Sequence, residues 1–171
     1  KLTVEAMIET AVGVENALEI ASASPRISAI AIGGQDLAAD MGISLENGAT
    51  SLDYASQRII MAAKAAHIDV MDTVFVDIDD EEGLRAAALH AKHLGFTGKA
   101  AINPRQIDII NDVFTPSEKE IADAIDIIAA YNRHMAVGVG VFAIHGKMVD
   151  APVVARAQRI LDLADIDAEQ L

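Results

Sequence analysis

Two short apolar runs, Val4-Glu5-Ala6-Met7-Ile8 and Ile30-Ala31-Ile32, decide how this chain is read, because each leads into an acid. The first is followed at once by Glu9; the second continues through Gly33-Gly34-Gln35 to Asp36. Read as neighbouring parallel strands, the two runs bring both carboxylates to one rim of a sheet. That is where α/β proteins gather their chemistry. Two acids at one rim point to a hard divalent cation. Carboxylates are natural Mg²⁺ ligands, and Mg²⁺ keeps several waters when few protein groups hold it.

Outward from these runs the chain reads as four units of strand then helix. Val4 to Ile8 precedes a helix from about Val14 to Ala23, with Val14, Ala17, Leu18 and Ala21 on one face. Ile27 to Ile32 leads through a Gly-Gly turn and a long loop ending at Asp53 to a helix from Tyr54 to Ala66. Val74-Phe75-Val76 reads as the third strand, and Asp79 and Glu82 have capping-box spacing before a helix from Leu84 to Leu94. Lys99 to Ile102 reads as the fourth strand, stopped by Asn103-Pro104. Beyond it, Ser117 and Glu120 form a second capping box before a helix bearing Ile121, Ala124, Ile125 and Ile128. A Gly-Val-Gly-Val-Phe run and a Gly-Lys-Met loop follow, then a helix from about Pro152 to Ala164 and a polar tail, Asp165 to Leu171, expected to fray.

Strands alternating with helices imply βαβ crossovers and a parallel sheet. Two architectures compete: an open four-strand sheet, or part of a closed barrel, which needs eight strands and about 250 residues. The reading adopted is α/β, with the chain supplying strands 5–8 of a TIM barrel plus a C-terminal helical extension. The boundaries are 1–115 for the half-barrel and 116–171 for the extension.

Composition narrows the function. With 171 residues, 52% apolar and 23% charged, the chain has material for a sizeable core. A net charge of -13, from 13 basic and 26 acidic residues, opposes general binding to nucleic acid or anionic membranes. It leaves room for a small anionic substrate, because one bound cation inverts the local potential. No apolar run approaches the roughly 20 residues a spanning helix needs, and no signal-like segment follows Lys1-Leu2-Thr3-Val4. The absence of cysteine removes disulfides and thiolate metal sites, and a cytoplasmic setting is expected.

Several segments together resemble the citrate lyase β-subunit-like proteins of the HpcH/HpaI aldolase superfamily. They run from Met7-Ile8-Glu9-Thr10-Ala11-Val12-Gly13-Val14-Glu15-Asn16-Ala17 and Gly33-Gly34-Gln35-Asp36-Leu37 through Asp72-Thr73-Val74-Phe75 and Asp80-Glu81-Glu82-Gly83-Leu84. Leu94-Gly95-Phe96-Thr97-Gly98-Lys99, Asn103-Pro104-Arg105-Gln106, Val113-Phe114-Thr115-Pro116-Ser117 and Gly146-Lys147-Met148-Val149-Asp150-Ala151-Pro152 follow in family order. The resemblance implies a TIM barrel that cleaves or forms a C–C bond beside a thioester such as citryl-, malyl- or citramalyl-CoA. It implies that Glu9 and Asp36 hold Mg²⁺ and that Asp150 is an acid/base group, sometimes supplied by a neighbouring subunit. Implied partners are an acyl-CoA or acyl-carrier-protein thioester, a homo-oligomer, and a citrate lyase-type complex. Asn103 departs from the pattern, standing where many members have histidine before the proline. The family's first four strands, which supply a substrate-binding arginine, have no counterpart in these residues.

Each candidate also has a plainer structural role. Glu9 competes with an exposed strand-end acid, Asp36 with a helix N-cap, and Asp150 with the N-cap of the last helix. Gly33 and Gly34 permit either close backbone approach or a turn with positive φ. Neither they nor Gly138 and Gly140 make a dinucleotide fingerprint. Lys147 reads as a phosphate contact or a solvated lysine, and Thr10 as a loop-shaping or turn residue. Asn16 reads as a bridge between strand ends or a helix-surface residue. His67, His90, His93, His134 and His145 form no evident cluster. Asp69, Asp72, Asp77, Asp79 and Asp80 read as turns and caps, while Lys99 and Arg105 divide between ion pairing and anion binding. Two other functions compete with the lyase: a metal-dependent aldolase on a free hydroxy-keto acid, and a non-catalytic partner subunit.

Overall fold

The computed structural model describes residues 2–45, 49–144 and 146–167, without the side chains of Ala49 and Thr50. Expectations for His145, for 46–48 of the loop before Asp53, and for 168–171 of the tail lie outside the described residues. Two compact units emerge, Lys1–Phe114 and Thr115–Leu171.

The first unit is built on a parallel sheet of four strands, β1 (Val4–Ile8), β2 (Ile27–Ile32), β3 (Asp69–Asp72) and β4 (Gly98–Lys99), in that spatial order. Its helices are α1 (Ala11–Glu15), α2 (Ala17–Ser22), α3 (Gly34–Met41), α4 (Asp53–Ala65), α5 (Glu81–Leu94) and α6 (Ile107–Phe114). The core forms where Ile8, Ile30, Ile32 and Val70 of the sheet meet Ala17 and Ala21 of α2 and Ile59, Ala62 and Ala63 of α4. Alanines at helical spacing let α2 and α4 lie close against the strands, so little volume separates helix from sheet.

This arrangement corrects the half-barrel expectation. The ladder runs from β1 to β4 and ends there, so the sheet is open, and nothing among the described residues assigns these strands to positions 5–8 of a barrel. Closure requires tilted strands with enough circumference to return to the first, which four strands do not supply. Among the described residues two further strands, β5 (Phe142–Ile144) and β6 (Lys147–Val149), pair antiparallel with each other in the second unit. The hairpin thus starts at Phe142, the last residue of the Gly-rich run, and includes the Gly-Lys-Met segment, with Gly146 at φ 75°.

Local corrections have physical causes. The third strand lies at Asp69–Asp72, before the expected Val74–Val76, because Val70 is fully buried and pairs with Ile30. The acids flanking it disguise the strand in sequence. The first helix is broken at Asn16, whose amide donates to the Val12 carbonyl at 2.9 Å and so caps α1. Helix α3 occupies part of the expected loop. It buries Leu37 and Ala38 and ends at Gly42, whose φ of 66° is a helix-stopping conformation that glycine adopts without strain. The cap of α5 is Asp80, accepting from the Gly83 amide at 2.8 Å, rather than Asp79.

In the second unit, α7 (Glu118–Met135) begins with the expected Ser117–Glu120 capping box. It packs on α8 (Ala151–Leu163) through Ala124, Ile128, Ala157 and Leu161. No helix among the described residues is long and apolar enough to cross a membrane.

Candidate metal centre at the strand rim

β1 and β2 are parallel neighbours with Ile8 opposite Ile32, so Glu9 and Gly33 leave the sheet side by side. The ladder extends one step beyond the strands, as the Gly33 amide donates to the Ile8 carbonyl at 2.9 Å. Glu9 is half-buried at this edge. Asp36 lies in the first turn of α3, exposed, where the helix dipole favours a negative side chain. The plainer role as an N-cap does not apply to Asp36, since Gly33 holds that position without a side-chain bond. Neither carboxylate has a hydrogen-bond or ion-pair partner among the described residues.

Gly33 lies in close contact with the Glu9 side chain. Its φ is -89°, an ordinary value, yet a Cβ there would lie 2.5 Å from Glu9 Cγ and 2.8 Å from Glu9 Oε1. The Glu9 side chain therefore folds directly over the turn that launches α3. Gly34 shows the same closeness on its other side, where a Cβ would lie 2.9 Å from Thr73 Oγ1.

Two ties hold α3 in this place, and neither is apparent from the sequence. Asp40 Oδ2 accepts from the Ala11 amide at 2.7 Å, joining α3 to the segment just after Glu9. Thr73 Oγ1 accepts from the Gly34 amide at 3.0 Å, joining α3 to the end of β3. Thr10 caps α1, accepting from the Gly13 amide at 3.1 Å. Its turn-bonding role is the one present.

The donor set suits a small hard cation. It consists of carboxylates, and among the described residues no group of three or more His, Asp or Glu gathers around one point. Mg²⁺ is bound through one or two carboxylates with waters retained, whereas Ca²⁺ asks for six to eight oxygens. The Glu9–Asp36 edge fits the first pattern.

Behind the rim lies a charge pair that the residue order alone leaves undecided. Lys99 Nζ donates to Asp72 Oδ2 at 2.6 Å and to the Thr73 carbonyl at 2.8 Å. Lys99 is an ion-pair partner, and Asp72, read as a turn or cap residue, is its acceptor. Both line a cavity of about 430 Å³ whose walls include Ile32, Leu52, Phe75 and Leu94. His90, read as solvated, sits at the same cavity with Nε2 3.0 Å from Asp53 Oδ1. Arg105 pairs with exposed Asp79 at 3.0 Å, and Asn103 accepts from the Arg105 amide at 3.0 Å.

Asp150 belongs to the second unit, immediately after β6. It is the N-cap of α8, with Oδ1 accepting from the Val153 amide at 3.3 Å. Lys147, on β6, shares a cavity of about 290 Å³ with Arg156, Asp123 and Asp126. His134 stacks on Phe142 with ring centroids 4.0 Å apart, which fastens β5 to the end of α7.

A parallel α/β sheet with a carboxylate-bearing rim defines an α/β protein with a candidate divalent-metal edge. The chain belongs to the HpcH/HpaI aldolase/citrate lyase family, whose sequence model matches residues 1–104. It is 46% identical over 160 residues to the citrate lyase subunit beta of Leuconostoc mesenteroides subsp. cremoris, covering 94% of this chain and 53% of that protein. It is 34% identical over 165 residues to the mitochondrial citramalyl-CoA lyase of Rattus norvegicus, covering 92% of this chain and 49% of the relative. The solved structure of protein CitE from Mycobacterium tuberculosis, in complex with magnesium, acetoacetate and coenzyme A, matches with a TM-score of 0.82 at 34% identity. That match covers 95% of this chain and 61% of the CitE chain. The chain thus spans about half the length of the curated relatives it matches.

Proposed function

We propose that this chain carries the metal edge and an acid/base group of a Mg²⁺-dependent carbon–carbon lyase. Its substrates are hydroxy-acyl thioesters such as citryl-, malyl- or citramalyl-CoA, which yield an acetyl thioester and a 2-oxo acid. The observation that carries the reading is that Glu9 directly follows β1 and Asp36 lies in the first turn of the helix that follows the adjacent parallel strand β2, both without a partner among the described residues. Membership of a citrate lyase family, and relatives named for lyase activity on CoA thioesters, support it.

Glu9 and Asp36 would hold the cation, leaving its other positions to water and substrate oxygens. Bound there, the cation supplies Lewis-acid polarisation of the 2-oxo-acid oxygen, a contribution of several kcal/mol. In cleavage the substrate hydroxyl would pass its proton to a solvent water as the C–C bond breaks, and the electron pair of that bond would go to the acetyl thioester as an enolate. Asp150, protonated, delivers the proton that converts that enolate to the acetyl thioester. In condensation its carboxylate takes the proton back. The cap bond from the Val153 amide orients the Asp150 carboxyl, so capping and proton transfer are compatible roles.

The functional protein is a cytoplasmic homo-oligomer, with a citrate lyase-type complex as its wider setting. The thioester carrier is coenzyme A or an acyl carrier protein. The deciding assay measures cleavage of citryl-, malyl- and citramalyl-CoA with and without Mg²⁺, in wild type, Glu9→Gln, Asp36→Asn and Asp150→Asn. Turnover that needs Mg²⁺ and collapses in the first two variants is expected. Undiminished metal affinity and turnover in both would reject the metal assignment.

A further inference from the structure

The rim carboxylates are backed by a relay of hydrogen bonds that begins at a buried cation. The Lys99 side chain is only 2% exposed, and its ammonium grips the end of β3 twice, through the Asp72 carboxylate and the Thr73 carbonyl. Thr73 in turn presents its hydroxyl oxygen to the Gly34 amide at 3.0 Å. Gly34 opens α3, the helix that bears Asp36 in its first turn.

This last bond fills a gap. The first amides of a helix lack intrahelical acceptors, and a Ser, Thr, Asp or Asn at the N-cap ordinarily supplies one. Here the N-cap is Gly33, which has no side chain and against which Glu9 folds. The acceptor therefore comes from the neighbouring strand. Side chains that hydrogen-bond a metal ligand directly matter almost as much as the ligands; Thr73 acts one step further back, through the backbone that carries Asp36.

We infer that Thr73, held by Lys99, is a positioning residue for the rim metal site: it serves as a borrowed cap that sets the start of α3, and so the reach of Asp36 toward Glu9. The inference rests on the metal reading of Glu9 and Asp36 under Proposed function. Its test is designed to separate failure of one from failure of the other.

Thr73→Val keeps the shape of the side chain and removes the acceptor; Thr73→Ser keeps the acceptor. Mn²⁺ serves as the probe, with free ion followed by electron paramagnetic resonance on the purified full chain, without substrate and below each variant's unfolding transition. Thr73→Val is expected to weaken Mn²⁺ binding about 10-fold, the low end of what losing a direct bond to a ligand costs. Thr73→Ser is expected to bind as wild type does. A helix start that was merely structural would alter unfolding without separating these two variants in metal affinity. If Thr73→Val binds Mn²⁺ like wild type while Glu9→Gln and Asp36→Asn lose it, the relay is overturned and the metal site stands. Equal weakening in Thr73→Val and Thr73→Ser also overturns it, because the hydroxyl would then not be the cause. If Glu9→Gln and Asp36→Asn bind Mn²⁺ undiminished, the metal reading fails and the relay falls with it.

Discussion

Replacing Lys99 by methionine should be among the most destabilising single changes in the first unit, and the size of the effect follows from its surroundings. The Lys99 and Asp72 side chains are 2% and 13% exposed, with Nζ and Oδ2 2.6 Å apart. At an effective dielectric of 20, charges at that separation attract by about 6 kcal/mol. Bringing two ions out of water costs several kcal/mol each, so the intact pair comes near to break-even. The truncated pair does not. Lys99→Met leaves the Asp72 carboxylate and the Thr73 carbonyl with a methyl group where an ammonium stood, at a cost of about 3–5 kcal/mol. That is a large share of the 5–15 kcal/mol typical of a domain. The double variant Lys99→Met/Asp72→Leu removes both charges and should recover most of the loss, since apolar replacements of buried pairs are often neutral or better. Urea unfolding followed by circular dichroism, with the first unit's transition fitted separately, gives both values. A Lys99→Met penalty below about 1 kcal/mol would refute the burial argument, because that is the scale of an exposed pair. So would a double variant as unstable as the single one.

Three further outcomes follow from the geometry. Gly34→Ala puts a Cβ within 2.9 Å of Thr73 Oγ1 and 3.1 Å of its Cβ and Cγ2, so urea unfolding should show a loss of about 1–3 kcal/mol; unchanged stability would mean that the turn has room. Ser117→Ala removes the hydroxyl half of the α7 capping box, the acceptor for the Glu120 amide, and leaves the backbone amide of position 117 to donate to Glu120; it should lower the second unit's stability by about 1 kcal/mol, read from its own unfolding transition. Asp150→Asn retains a good capping group, while Asp150→Ala does not, so the first should unfold like wild type and the second about 1 kcal/mol earlier. Loss of thioester cleavage in Asp150→Asn despite that preserved stability is the expected sign of proton transfer; retained turnover would leave Asp150 a cap alone.

Legibility varied along the chain for identifiable reasons. Where a side chain answers to its own neighbours in sequence, the reading held. β1 and β2 have the expected bounds because each is a mainly apolar run interrupted by one polar residue, Glu5 or Ser28, and the Ser117–Glu120 box is a local bond between residues one turn apart. Helix α3 reads as loop, with a helix capped by Asp36 only as the alternative, because it begins at Gly34 behind a glycine N-cap and buries little beyond Leu37 and Ala38. Gly42, at its end, was a signal available to find it. Helix α6 carried a similar signal in the spacing of its buried Ile110 and Val113. The hairpin β5–β6 was obscured because each strand is only three residues long, too short for alternation to show, and it pairs with a partner on the other side of Gly146.

By itself the sequence determined the alternation of strand and helix, the family, and the two acids that follow the first two strands. Those features are written in periodicity and in order along the chain. Only the tertiary structure decided that the four strands form an open sheet, because closure depends on which edges find partners rather than on any residue's preference. It alone placed Asp69–Asp72 in the sheet: a strand with acids at both ends is stable there because Lys99, distant in sequence, neutralises Asp72. It alone showed that Glu9 folds against Gly33, and that the cap missing from α3 comes from Thr73. Contacts between residues far apart in the chain leave no trace in local pattern, and the surroundings of the rim carboxylates are made almost entirely of such contacts.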